Sequence, residues 1–115
     1  MKCKPLKDPF VLVIVTASNR QEAEKIAGHL LDKRLIACAN IIGPVSSLFW
    51  WTKKIEKAEE HILLMKSRLD KFKRLSRTVK ELHSYKVPEI IALPIIEGSS
   101  KYLEWLASNL APEER

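Results

Sequence analysis

The side chains able to bind a metal, move a proton or attack a substrate are few in this sequence, and they are scattered. There are three histidines, His29, His61 and His83, and two cysteines, Cys3 and Cys38. None lies at the Cys-x-x-Cys or His-x-x-x-His spacing that preforms a zinc site, so a metal centre must be assembled by the fold or between copies of the chain. Cys38, between Ala37 and Ala39, reads more readily as a small packed hydrophobe than as a ligand. His29 shares a helix face with Glu22, Lys25 and Lys33 and is expected in solvent. His61 follows Glu59 and Glu60, one imidazole beside carboxylates. His83 closes a helix, where the dipole favours an imidazolium, so capping competes with metal ligation there. His83 and Tyr85 facing one cleft are the best candidates for chemistry. Glu60, Lys66, His83 and Tyr85 together could supply an acid, a base and an anion-binding group. Glu60 and Lys66, six apart on a strand, share a face and suit a plain ion pair equally well. No glycine-rich phosphate loop or nucleophile elbow occurs, so the chain is not expected to be an enzyme.

The elements that position these residues follow from hydrophobic period and breakers. Residues 10–16 form a β-rich apolar run. Asn19 with Glu22 three positions on has the pattern of a capped helix start, and Ala23, Ile26, Ala27, Leu30 and Leu31 give an amphipathic helix over 20–33. Residues 36–51 read as a long strand bent near Gly43-Pro44, because proline has no donor for the ladder. A connection at Thr52-Lys53-Lys54 leads to a strand over 55–66. Asp70 can cap a helix bearing Phe72, Leu75, Val79 and Leu82, which Pro88 keeps from continuing. Residues 89–96 are a further strand, and Ser99 or Ser100 can open a last helix. Strand, helix, hairpin, helix, strand, helix is the split βαβ, ferredoxin-like arrangement of α+β proteins with one extra C-terminal helix. At 115 residues the chain is one domain, with ends over 1–9 and 111–115 expected to be flexible.

Charge and composition narrow the partners. Net charge is +6, and the excess cations cluster in 66–86, from Lys66 and Arg68 to Lys80 and Lys86. A solvated helix face explains this more simply than polyanion binding. Glu60-His61-Ile62-Leu63-Leu64-Met65-Lys66 lacks the exposed aromatics of an RNA-binding strand, so no nucleic-acid partner is expected. No run approaches the ~20 apolar residues of a membrane span. Met1 to Val15 imitates a short export signal, but Pro5, Asp8 and Pro9 interrupt it and no Ala-x-Ala follows. With cysteines lacking disulfide spacing, a cytoplasmic protein is expected.

Strand side chains alternate between faces, so Leu48-Phe49-Trp50-Trp51, Ile41-Ile42, Ile62 to Met65 and Ile90 to Leu93 make the sheet apolar on both sides. Two crossover helices cover one side only. The other is left larger and greasier than soluble monomers tolerate, which predicts self-association.

Five segments in order resemble the CutA divalent-cation-tolerance family over about residues 10–110. They are Leu35-Ile36-Ala37-Cys38-Ala39-Asn40; Trp50-Trp51 with Lys54-Ile55-Glu56; Glu60 with Met65-Lys66; His83-Ser84-Tyr85 leading into Val87-Pro88-Glu89; and Tyr102-Leu103-Glu104-Trp105-Leu106. The resemblance implies a homotrimer joined through sheet edges, tolerance to copper and other divalent cations, and no organic cofactor. It also implies an intersubunit cleft lined by Cys38, Trp51, Glu60, Lys66, Tyr85, Glu89 and Trp105, with His83 as metal ligand. Phe49, Lys53 and Ser84 depart from residues usual in the family. The copper ligands proposed for some members fall on Val15, Leu82 and His83, of which only His83 can ligate. The alternative reading is a signalling trimer that binds a small anion or metabolite in that cleft.

Overall fold

A computed structural model describes residues 8–113. Residues 1–7, which hold Cys3 and the start of the leader-like stretch, lie outside the described residues; its apolar part belongs to the first strand, Phe10–Ala17. In chain order the elements are β1 (Phe10–Ala17), α1 (Arg20–Asp32), β2 (Cys38–Trp51), β3 (Lys54–Arg68), a 3-10 turn (Leu69–Lys71), α2 (Phe72–Leu82), β4 (Ile90–Pro94) and α3 (Ser100–Ser108). The four strands form one antiparallel sheet in the order β2-β3-β1-β4. This is the split βαβ topology that the sequence predicts.

Alternation along β1 and β3 builds the core. Val11, Val13, Val15 and Ala17 with Leu63 and Met65 turn to one face and are buried. Ala23, Ile26, Ala27 and Leu30 of α1 and Leu75 and Val79 of α2 pack onto them. Asn19 caps α1, its Oδ1 accepting from Glu22 N–H at 2.8 Å. The far end closes in a Schellman arrangement, with Arg34 at φ 56° and Leu35 N–H donating to Leu30 O at 2.9 Å. In β2, Gly43 and Pro44 stand against the single residue His61, which makes a bulge between the pairs Ile42–Ile62 and Val45–Glu60. A Cβ on Gly43 would come within 2.6 Å of the His61 ring, so only glycine fits that position.

The opposite face is covered only at one end, where Leu106 and Leu110 pack on Phe10. Leu12, Ile14, Ile62 and Leu64 are half-buried there, and Ile42, Ile91 and Leu93 are exposed. Beyond the bulge, β2 and β3 run on as a two-stranded arm, giving a molecule 56 Å long and about 25 Å across. Both faces of the arm are apolar. Leu48, Trp50 and Ile55 are 68%, 71% and 62% exposed on one, and Phe49 and Trp51 are exposed on the other.

Four expectations change. Asp70 does not cap α2: the cap position is Lys71, without a side-chain cap bond, and the Asp70 carboxylate meets Arg68 Nε at 2.6 Å and Lys71 Nζ at 3.0 Å. Arg68 and Lys71 therefore leave the solvated stretch and are buried. The predicted tail begins tied down: Arg68 donates to Ala111 O at 3.1 Å and Lys71 to Pro112 O at 2.6 Å. The fourth strand is also shorter than 89–96, ending at Pro94.

Candidate functional site

Where the arm leaves the body, a cleft of about 760 Å³ opens between β2, β3 and the loop after α2. Phe49 and Trp51 line it from β2, Glu56 and Glu60 from β3, and Tyr85 and Glu89 from the loop. Four of the expected site residues thus meet there: Trp51, Glu60, Tyr85 and Glu89. The Tyr85 hydroxyl donates to Glu60 Oε2 at 2.8 Å. Burial, and then this carboxylate, push the phenol up to about 12, so it stays a donor through the physiological range.

The loop bearing Tyr85 is held from behind. His83 Nε2–H donates to Thr16 O at 2.6 Å, and its Nδ1 accepts from Tyr85 N–H at 3.0 Å. Those two bonds define a neutral tautomer with both nitrogens engaged, and the side chain is fully buried. Glu22 binds the same loop. Its Oε1 accepts from Ser18 N–H and Oγ–H at 2.8 and 2.9 Å, and its Oε2 from Ser84 N–H at 2.7 Å. Burial alone would raise its carboxyl, but the bonds from Ser18 and Ser84 outweigh that and lower it to about 2. Glu22 is legible in the sequence only as a capping residue. Its second bond, 62 positions along the chain, has no local signal.

The remaining expected residues lie elsewhere. Six strand residues span about 20 Å, so Lys66 and Glu60 form no ion pair; Lys66 Nζ donates instead to Asn40 Oδ1 at 2.6 Å. Cys38, paired across the ladder with Lys66, has its Sγ 3.7 Å from the Tyr102 hydroxyl. That contact, and then burial, raise the Tyr102 phenol. Trp105 lies against Tyr102 with ring centroids 5.5 Å apart. Within one chain the expected set therefore forms two groups at opposite ends of the sheet face. His29 is exposed on α1, as expected, with its Nδ1 3.0 Å from Lys25 O.

Among the described residues of a single chain a divalent cation finds no ready seat. Among the described residues no three of His, Cys, Asp and Glu come together to hold one. His83, the expected ligand, would have to break a bond to Thr16 or Tyr85 before it could coordinate. His61 lies against Gly43, on the strand face away from Glu60. No described helix is long and apolar enough to cross a membrane.

Fold and cleft define a small split βαβ protein with an acidic, aromatic groove at the root of a protruding hairpin. The family profile described as "CutA1 divalent ion tolerance protein" matches residues 11–109. The "Divalent-cation tolerance protein CutA" of Archaeoglobus fulgidus is 45% identical over 94 residues, which is 82% of this chain and 91% of that protein. The rice protein "Protein CutA 1, chloroplastic" is 40% identical over 88% of this chain, which spans only 57% of its length. Among solved structures, "Divalent cation tolerance protein (Cut A1)" from Thermus thermophilus superposes with a TM-score of 0.87 at 39% identity, covering 89% of this chain and 99% of that one. An Archaeoglobus fulgidus structure described as a periplasmic CutA gives 0.85 at 42% identity, covering 87% and 97%. The chain belongs to the CutA1 divalent ion tolerance family.

Proposed function

We propose that this chain serves divalent-cation tolerance as a homotrimer whose ligand cleft is completed at the seam between copies. The observation that carries the reading is the arm. Burying one tryptophan side chain stabilises by on the order of 3 kcal/mol, and Leu48, Phe49, Trp50, Trp51 and Ile55 all stand exposed on it. A partner must cover them, and a second copy is the partner always at hand. Light scattering should give three times the 13.2 kDa of one chain. A stable particle of one chain mass at dilute concentration overturns the reading.

The ligand proposed first is copper or another divalent cation. Glu56, Glu60 and Glu89 put carboxylate oxygens on the cleft wall, and a second copy would have to supply the donors that one chain lacks. Because copper heads the affinity order at almost any nitrogen or sulfur site, calorimetry must compare copper with zinc and nickel and give stoichiometry per trimer. Binding weakened about tenfold by Glu60→Gln with Glu89→Gln supports the cleft; no binding to the wild type refutes it. Lys57 and Lys86 at the same cleft favour the second reading, a small anion or metabolite. Thermal shifts with nucleotides and carboxylates, and none with metals, would select it. We place the protein in the cytoplasm and outside catalysis. The free Cys38 thiol suits a reducing compartment, and the sequence offers no phosphate loop or nucleophile elbow. Recovery in a periplasmic or organellar fraction would overturn the first, and turnover of any cleft ligand the second.

A further inference from the structure

The strongest feature that the cleft does not use lies in the helix layer, on the other side of the sheet. Helix α2 buries Leu75, Thr78 and Val79, and its outer side is almost wholly cationic. Lys73, Arg77 and Lys80 follow one another at i, i+4 and i+7, so they form one stripe. They border a groove of about 360 Å³ with Phe72 and Ser76. Like charges at this spacing repel. Some other cations are paired: Arg20 meets Glu24 on α1 at 3.3 Å, and Arg68 and Lys71 share Asp70. On α2 the single acid is Glu81. Among the described residues no ion pair joins it, or any other acid, to Lys73, Arg77 or Lys80.

We infer that this groove is a binding site for a soluble oligophosphate anion. The stripe spans about 10 Å at 1.5 Å per residue, longer than one phosphate and suited to several charges in a row. Arg77 offers a planar fork of donors that matches phosphate oxygens. Lys73 and Lys80 add point charges on either side, and the Ser76 hydroxyl adds a further donor. A base-stacking or membrane surface needs exposed aromatic or apolar side chains beside the cations. Among the described residues lining the groove the one such group is Phe72, which is half-buried and packs against the core, and Leu69 nearby is a single exposed aliphatic side chain. The groove has no lining residue in common with the cleft, so the inference stands or falls separately from the cleft ligand proposed above.

The test is calorimetry on the full chain with tripolyphosphate, using sulfate at matched ionic strength as the control. Tripolyphosphate should bind at least tenfold more tightly than sulfate and weaken as salt is added. Arg77→Ala, and Lys73→Ser with Lys80→Ser, should each weaken it at least tenfold, while Lys101→Ser on α3 leaves it unchanged. All these positions are exposed, and unaltered circular dichroism of the variants keeps the comparison about binding. Tripolyphosphate binding no tighter than sulfate, or variants that bind as the wild type does, overturns the inference. So does tighter, equally variant-sensitive binding to a single-stranded oligonucleotide or to phosphatidylserine vesicles, which would assign the stripe to a macromolecular surface.

Discussion

Replacing Glu22 by glutamine tests how far the loop bearing His83 and Tyr85 depends on one carboxylate. That carboxylate takes bonds from Ser18 at one end and from Ser84 N–H at the other. Its carboxyl is lowered from 4.5 to about 2, with burial opposing and the Ser18 and Ser84 bonds prevailing. At about 1.4 kcal/mol per pH unit, that difference corresponds to about 3 kcal/mol favouring the ionised form in the fold. A depressed carboxyl contributes stability that is complete above the unfolded value and is lost as pH falls through the folded one. The wild type should therefore lose about this amount between pH 4.5 and 2 from Glu22. In Glu22→Gln one end can still accept from Ser18, but the amide then sets a donor against the Ser84 N–H. We expect the variant to be about 2–3 kcal/mol less stable at pH 7 and the gap to shrink by at least half at pH 2. Urea unfolding at one fixed protein concentration across this range measures both. A gap that is absent at pH 7, or that stays the same at both ends, refutes the reasoning.

The arm and the cleft give further expectations. Thr52 and Lys53 join β2 to β3 with φ of 47° and 66°, the left-handed pair of a type I′ turn. Non-glycine residues are strained there by about 1–2 kcal/mol each, so Thr52→Asn with Lys53→Gly should stabilise the protein by about 1 kcal/mol in thermal unfolding; a lowered midpoint would show that other contacts hold the turn. Tyr85→Phe leaves Glu60 without its phenol donor and should cost about 1–3 kcal/mol. Because the phenol is raised to about 12, its contribution is complete below pH 10 and is lost as pH climbs through 12. An ultraviolet pH titration should show that the variant lacks a tyrosine ionising near pH 12; loss of one ionising near pH 10 contradicts the assigned bond.

The fold was legible because its determinants are local. The unbroken apolar run of β1 and the 3.6 period of α1 and α2 mark the strand and helices that bring Val13, Ile26 and Leu75 together. Asn19 marks its cap, and Gly43-Pro44 marks its bulge. Asp70 misled because a carboxylate just before a helix looks the same whether it caps the backbone or neutralises Arg68 and Lys71. Burial decides between these, and burial depends on where Ala111 and Pro112 return. The site was half legible. Trp51, Glu60, Tyr85 and Glu89 carry the family pattern and meet in the cleft, whereas Cys38, Lys66 and Trp105 carry it equally and lie at the other end of the sheet. The resemblance does not say whether one chain or several bring these residues together. His83 shows the same limit, since nothing near it in the sequence reveals that Thr16 and Tyr85 occupy both nitrogens.

The sheet order β2-β3-β1-β4 leaves two rims, one along β2 and one along β4. Each carries a row of amide and carbonyl groups seeking a mate. Units that can bond at both margins either close into a ring, which uses up every margin, or add to one another without end as a filament. The rotation between neighbours decides which, and in the proposed trimer the hairpin bent at Gly43 would help to set it. A substitution that straightened that bend could leave every chain correctly folded and still turn a finite assembly into a fibre.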